Sequence, residues 1–337
     1  VDELVRSMAV VGGGRMIESM EAMMRCPTCK GPLERDESRF HCSACDVSYP
    51  IHEGLQDLLP AGSSHLKLSE REHFTENTDY YLRMHATWCN SPFYRHYHQA
   101  FLDELRWLPR GSLILELGCG LGHDGLELLR SGYKVVETDI APGQLRESLR
   151  LHSESGLEDA CAHLLADAEN LPFASGSFDG AFMVASLHHL PDPLRSLREI
   201  KRVLKPGGIF ALGTEPNSWQ NHTIYLLGRI ILKLLNRLLG KEIDPSEMVS
   251  EADKLTEGFS LNELNDLFRQ AGFEQWTLKP AGYLSAAIFF LSTELSQLIG
   301  HDLRLFPLES IFIPIDEVLG KAPFFSRYPW HWNAAAR

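Results

Sequence analysis

Cys26-Pro27-Thr28-Cys29 and Cys42-Ser43-Ala44-Cys45 are two CxxC turns separated by twelve residues. Each turn sets two thiolates on one tight loop. Two such turns together supply the four soft ligands of a tetrahedral zinc ion. Lys30-Gly31 after the first pair and Asp46 after the second suit the turns of a ribbon, with 34–41 as the hairpin between them. The stretch is too small to bury a core of its own, so bound metal would supply its folding energy. Two disulfides or a redox CxxC are the alternatives. Four cysteines leave no open position for catalysis, which favours a structural zinc held by Cys26, Cys29, Cys42 and Cys45.

A second constellation begins at the apolar run 113–117, which ends in Gly118-Cys119-Gly120-Leu121-Gly122 and then a helix at 123–131. A buried strand running through glycines into a helix is a nucleotide-type turn, where the backbone can approach a ligand closely. Gly120, Gly122 and Gly125 also satisfy GxGxxG, with Asp139 near the distance of a ribose-binding acid, so a dinucleotide dehydrogenase must be weighed. The acids argue otherwise. Glu116, Asp139 and Asp167 each fall at the carboxyl end of an expected strand (113–117, 134–139 and 164–168), where open α/β sheets bind ligands. Three carboxylates there suit a cationic, hydroxyl-rich ligand better than a pyrophosphate.

The elements that position these residues follow in a recognisable order. A fourth strand, 180–186, runs into Leu187-His188-His189-Leu190-Pro191-Asp192 and a helix at 192–204; Lys205-Pro206-Gly207-Gly208 leads to a fifth strand, 209–214. Ser260 and Glu263 form a capping box for a helix at 261–271 that Gly272 ends. A sixth strand is expected at 274–279 and an antiparallel seventh at 329–335, with 283–291 as the alternative seventh. The expected architecture is α/β: a seven-stranded, mostly parallel, Rossmann-like sheet with helical insertions and a small N-terminal zinc ribbon.

Over 105–280 this succession resembles the class I S-adenosylmethionine-dependent methyltransferases, in the subgroup of the ubiquinone and menaquinone C-methyltransferases. Segment 26–60 resembles the zinc-ribbon module at the front of rRNA guanine-N1 methyltransferases and the tRNA-methyltransferase activator fold. The resemblance implies S-adenosylmethionine as donor. It implies that Glu116 and Gly118, Cys119, Gly120 and Gly122 cradle the methionine part, and that Asp139 accepts the ribose hydroxyls. Ile140 would line the adenine face, Asp167 with the Ala168 backbone would read the adenine edge, and Ala185 would border the donor after strand 4. Cys119 reads as a small packing residue of the loop rather than a nucleophile, and Cys161 carries no motif.

The division expected is a helical leader (1–25), the ribbon (26–60), a helical linker or substrate lid (61–105), the core (106–280, with a cap insertion at 216–258), and a C-terminal helical cap with the last strand (281–337). The lid holds Tyr80, Tyr81, His85, Trp88, Cys89, Tyr94, His96, Tyr97 and His98. Helical packing is its plain reading; a substrate cover, or a metal role for His85, Cys89, His96 and His98, is the sharper one. Within 223–241, Arg229, Lys233, Arg237 and Lys241 recur every four residues on an otherwise apolar helix. Such a stripe fits a packed cap helix whose charges reach water, or contact with a membrane surface or lipid-like substrate. His188, His189, Glu215 and His222 follow strands 4 and 5 and are the candidates for a catalytic base. Ala185-Ser186-Leu187-His188 stands where an Asn/Asp-Pro-Pro-aromatic motif would mark adenine or glutamine N-methylation.

The chain of 337 residues carries 32 Lys and Arg against 45 Asp and Glu, a net charge of −13, which disfavours non-specific coating of nucleic acid. Segment 1–60 alone has ten acids against six bases, so the ribbon is no basic grip for RNA. Hydrophobic residues at 44% and charged residues at 23% exclude long disorder. No secretory signal and no run of eighteen apolar residues is read, so a cytoplasmic protein is expected. The leading expectation is methyl transfer to a small metabolite, lipid-like or sugar acceptor. RNA methylation aided by the ribbon, and a non-catalytic scaffold, are the rivals.

Overall fold

The computed structural model describes residues 16, 20–220, 237, 250–252, 258–299 and 303–337. Its first strands are β1 (Glu34–Arg35), β2 (Arg39–Cys42), β3 (Val47–His52) and β4 (Leu55–Asp57). β1 to β4 form an antiparallel meander. Glu53 and Gly54, at φ 52° and 83°, make the two-residue turn between β3 and β4. Three helices follow: α1 (His65–Glu76), α2 (Thr78–Trp88) and α3 (Pro92–Leu105). Ser64 and Ser91 cap α1 and α3, each hydroxyl accepting a first-turn backbone N–H, and Pro92 occupies a first-turn position where no bond is lost.

The core then alternates strand and helix: β5 (Leu113–Leu117), α4 (His123–Arg130), β6 (Lys134–Asp139), α5 (Pro142–Glu154), β7 (Cys161–Leu165), β8 (Phe178–Val184), α6 (Pro193–Val203) and β9 (Leu204–Pro216). After α7 (Leu261–Ala271) come β10 (Trp276–Ala281), α8 (Leu284–Ile299), α9 (Phe306–Leu319) and β11 (His331–Ala336). The expected capping box of Ser260 and Glu263 forms at α7, and Gly272 ends that helix at φ 88°.

One sheet runs β1-β2-β3-β4-β7-β6-β5-β8-β9-β11-β10. The seven strands from β7 to β10 are the expected set. β7, β6, β5, β8 and β9 are parallel, and β11 slots antiparallel between β9 and β10. β11 lies close to the expected 329–335. The alternative at 283–291 fails: that run has no polar–apolar alternation, and from Leu284 on it folds as α8.

The ribbon is joined to this sheet by backbone. β4 pairs in parallel with β7 (Gln56 opposite Leu164, Asp57 opposite Leu165), and the Leu58 N–H donates to the Leu165 carbonyl at 2.8 Å. Met16, Met20 and Met24, spaced by four, are buried with Phe40, Tyr49 and Leu58 in one cluster with Leu171, Phe173, Leu197 and Ile200. Each such side chain contributes roughly 1.5–3 kcal/mol when fully buried. Lys30 adds a contact to Glu199 of α6 at 2.6 Å. Core packing therefore ties the ribbon to the sheet edge.

Candidate active site

β5 delivers its chain into a turn built for close approach. Gly118, Gly120 and Gly122 have φ of 63°, 52° and 75°, a region open to glycine. Space demands it too: a Cβ on Gly122 would sit 2.1 Å from the Ser148 hydroxyl, and one on Gly118 2.7 Å from that of Ser186. Asp139, ending β6, closes the loop from the side. Its Oδ2 accepts the Gly120 N–H at 2.9 Å and its Oδ1 the Ala141 N–H at 2.8 Å. Burial pushes its carboxyl up, against those bonds. Glu116 is buried and its carboxyl lies well above the ordinary range, because of burial first and the Glu137 charge second. Cys119 is buried and its thiol is likewise pushed well up by burial, which fits a packing residue and not a nucleophile.

Asp167 sits just past β7, and its carboxylate is already engaged. Lys67 of α1 reaches it at 2.6 Å and Glu169 at 2.7 Å, while Asn170 donates to Asp167 Oδ2 at 2.6 Å. The sequence reading counted three acids at the strand ends; the structure adds a cation among them. Ile140 and Ala168 are half-buried beside the turn, and Ala185 is exposed at φ 43° after β8. All the candidate donor residues thus gather at the carboxyl ends of β5, β6, β7 and β8.

The other wall of the candidate site, where the sequence placed the candidate bases, is built by helices. The Glu215 side chain is fully buried and accepts from the backbone N–H groups of Ser186 and Leu187, both at 2.8 Å. His188 Nδ1 lies 3.0 Å from Glu215 Oε2. Glu215 therefore anchors the loop after β8 and orients His188. His189 Nδ1 lies 3.2 Å from Glu70 Oε2, and Phe74 meets the His189 ring edge-on. Burial would raise the Glu70 carboxyl, but His189 and the Ala252 N–H outweigh it and hold it below its ordinary value.

From the lid, His85 stacks on His123 at 3.5 Å, Tyr94 stacks on His98 at 3.6 Å, and His98 Nδ1 lies 3.0 Å from Asp124. Burial, with His123 second, drops His85 to about 3; burial, with His188 and His98 next, drops His331 of β11 to about 3. These rings are neutral imidazoles near neutral pH. The suggested metal role for His85, Cys89, His96 and His98 fails. His96 is exposed against Glu317, and the Cys89 thiol turns back to the Ala86 carbonyl, so α2 and α3 point the four in different directions. His222 and most of 223–241 lie outside the described residues, and no described helix is long and apolar enough to cross a membrane.

Sequence reasoning missed Lys67, Glu70, Asp124 and His331. Lys67 and Glu70 stand three apart on one helix face, a pattern that solvated helices share. Nothing local marks His331.

In the ribbon, the four thiols converge within 4.8 Å of one another, with Cys26 to Cys45 at 3.6 Å and Cys29 to Cys42 at 3.4 Å. All four are free cysteines, which excludes the disulfide alternative in this structure. Sulfur atoms around a tetrahedral zinc stand about 3.8 Å apart, so the cage fits that ion. Lys30 and Asp46 take left-handed φ of 61° and 55° at the two turns, and a Cβ on Gly31 would crowd Cys29 and Cys42 at 3.3 and 3.4 Å.

Residues 115–212 match the methyltransferase domain family, and residues 22–54 match the Trm112p-like proteins. The sterol 4-C-methyltransferase strm-1 of Caenorhabditis elegans is 35% identical over 96 residues, 28% of this chain and 29% of that protein. The S-adenosyl-L-methionine-dependent Diels-Alderase iccD of Talaromyces variabilis is 36% identical over 142 residues, 41% of this chain and 48% of that protein. The chain thus spans less than half the length of either relative. Among solved structures, phosphoethanolamine N-methyltransferase 2 of Haemonchus contortus with S-adenosyl-L-methionine superposes with a TM-score of 0.53 at 17% identity, covering 82% of this chain and 60% of that one. The fold of the core is therefore that of the class I S-adenosylmethionine-dependent methyltransferases, carrying a Trm112p-like module at its N-terminal edge.

Proposed function

We propose that the chain is an S-adenosylmethionine-dependent methyltransferase acting on a small-molecule acceptor. The observation that carries this reading is the left-handed glycine turn between Glu116 and Asp139, at the carboxyl end of the sheet. Glu116 with Gly118, Cys119, Gly120 and Gly122 cradles the methionine part. Asp139 takes the ribose hydroxyls on its remaining lone pairs. Ile140 and Ala168 line the adenine, Asp167 fixes that corner through Lys67, and Ala185 borders the sulfonium. In-line approach of the acceptor nucleophile would break the sulfonium–methyl bond as the new bond to the methyl forms, leaving S-adenosylhomocysteine, and the placement these residues provide would supply much of the acceleration.

For an acceptor that must lose a proton, His188 is the better base. With its Nδ1 proton held by Glu215, the basic lone pair falls on Nε2, which would take the proton as the new bond to carbon forms. Glu215 is then a positioning residue, and His189 with Glu70 ties α1 over the site. The apolar and imidazole-lined acceptor side, the net acidity and the sterol methyltransferase relative support a small, largely uncharged or lipid-like acceptor. Cys26, Cys29, Cys42 and Cys45 would hold a structural zinc, which stabilises the ribbon and so the sheet edge.

The Trm112p-like match favours a second reading, methylation of RNA. Tritiated-methyl transfer from S-adenosylmethionine into fractionated extract separates the two. Label in an organic-soluble or small polar fraction is the expected result; label in RNA would overturn the first reading. Isothermal titration with S-adenosylmethionine tests the donor site itself, and no heat of binding would leave only the scaffold reading.

A further inference from the structure

Directly beneath the glycine loop lies a polar cluster the proposed function does not use. Glu137 of β6, His152 of α5, and Cys161 and His163 of β7 are all buried, at most 3% exposed. One ligand atom from each lies within 4.8 Å of the others. His152 Nδ1 is 3.1 Å from His163 Nε2, which is 3.3 Å from Glu137 Oε2 and 3.8 Å from Cys161 Sγ. Nitrogen and oxygen ligands of zinc at about 2.0–2.1 Å, with sulfur at about 2.3 Å, stand about 3.3–3.6 Å apart around a tetrahedron. The donor atoms are therefore already near the separations such an ion imposes.

The protons point the same way. His152 Nε2 lies 3.1 Å from the Gly122 carbonyl, so the ring proton belongs there and Nδ1 faces the cluster as a bare lone pair. Ser148 gives its hydroxyl proton to Glu137 Oε2. Glu137 Oε1 lies 3.3 Å from His152 Nε2 and meets the raised Glu116 carboxyl, and no described lysine or arginine pairs with this carboxylate. A Cβ on Gly125 would lie 2.2 Å from Glu137 Oε1 and 2.4 Å from Glu116 Oε2, so two buried carboxyls close over that glycine. His163 Nε2 lies 3.2 Å from the Ser148 oxygen, so in the metal-free chain it carries the ring proton and donates to Ser148 and Glu137; metal binding would shift that proton to Nδ1.

We propose that Glu137, His152, Cys161 and His163 hold one structural zinc ion. On loading, Cys161 releases its thiol proton to solvent and Sγ bonds the metal. Zn²⁺, one carboxylate, one thiolate and two neutral imidazoles sum to zero charge, as an apolar interior requires. Nitrogen, sulfur and oxygen donors in fourfold set suit zinc over magnesium or calcium. Four protein ligands leave no open position, so the ion is structural. It would lock the His152 tautomer and, through Nε2–H, brace the Gly122 carbonyl of the donor turn.

The test is metal content of the full chain, purified without a histidine tag. Two zinc ions per chain are expected. His163→Gln should lower this to one, and Cys45→Ser should remove only the ribbon ion. A wild-type content that His163→Gln leaves unchanged would overturn the proposal. Should the variants fold poorly, zinc K-edge absorption on the wild type decides it. A shell of about five sulfurs to three nitrogens and oxygens over two ions, or of mainly nitrogen and oxygen if the ribbon is empty, supports the site. Sulfur alone, or no zinc at all, overturns it.

Discussion

The donor side and the acceptor side are made differently. Every residue proposed to hold the donor lies at or just past the carboxyl end of a parallel strand, and much of the proposed work is done by backbone: left-handed glycines and N–H groups tied to Asp139. The acceptor side is assembled from α1, α2, α3, the loop after β8 and the late strand β11, through side chains that meet only after the chain has folded. On the proposed function, the sheet would fix the donor and the helices would set the acceptor. Lys67 and Glu70 cross between the two, one reaching Asp167 and the other His189.

The sharpest way to break that division is at the crossing. Lys67→Met leaves Asp167 and Glu169 buried without their cation, and about 3–5 kcal/mol of stability should vanish in urea unfolding. A loss below about 1 kcal/mol would mean that α1 is not tied to the sheet by charge.

Next in size is Asp139→Ala. It should raise the S-adenosylmethionine dissociation constant by about 100-fold in calorimetry, about 3 kcal/mol for charged hydrogen bonds to the ribose. An unchanged affinity would remove Asp139 from the donor side.

Glu215→Gln sharpens the other half. It keeps a carbonyl oxygen for the loop N–H groups but loses the charge beside His188. A fall of about tenfold in kcat, equal to about 1.4 kcal/mol, is expected, with donor affinity unchanged and the acid limb of the pH–rate profile moved. Loss of donor affinity instead would show that the two sides are one unit.

The smallest effect is a pH dependence to which two histidines of the acceptor side contribute. His85 and His331 stay neutral in the fold down to about pH 3 but charge near 6.5 once unfolded. Between those values the unfolded chain binds more protons, so stability falls as pH drops through the window. At pH 5.5 the cost is of the order of 1 kcal/mol for each. His331→Gln should flatten the decline in urea midpoint between pH 7.5 and 5.5.

The same contrast explains what the sequence made legible. The glycines, the acids at strand ends, the CxxC pairs and the Ser260–Glu263 cap are local signals, and each forms where its spacing puts it. β11 was placed within two residues, at 329–335, although about sixty residues separate it from α7, because the expected fold needs one antiparallel strand there and Pro329-Trp330-His331-Trp332 offered it. The ion pairs of Lys67, the His98–Asp124 contact and the engagement of Glu215 were not legible. They join residues far apart in sequence whose types are common on any helix surface. The ribbon was read as a separate module because nothing in Leu55-Gln56-Asp57 says that its backbone will pair with Leu164 and Leu165.

That pairing gives the small module a reach beyond its size. β7 is buried along its whole length, so an uncapped β7 would offer unsatisfied amides and carbonyls on a greasy flank to any passing strand. β4 is the hem that keeps the fabric from unravelling, and the zinc proposed for the cage of thiols would help keep the hem stitched. A cell short of zinc would then see more than a trimmed domain: newly made chains would stick to one another before they could work. Metal supply would set how many molecules reach the soluble pool, upstream of any question of donor or acceptor.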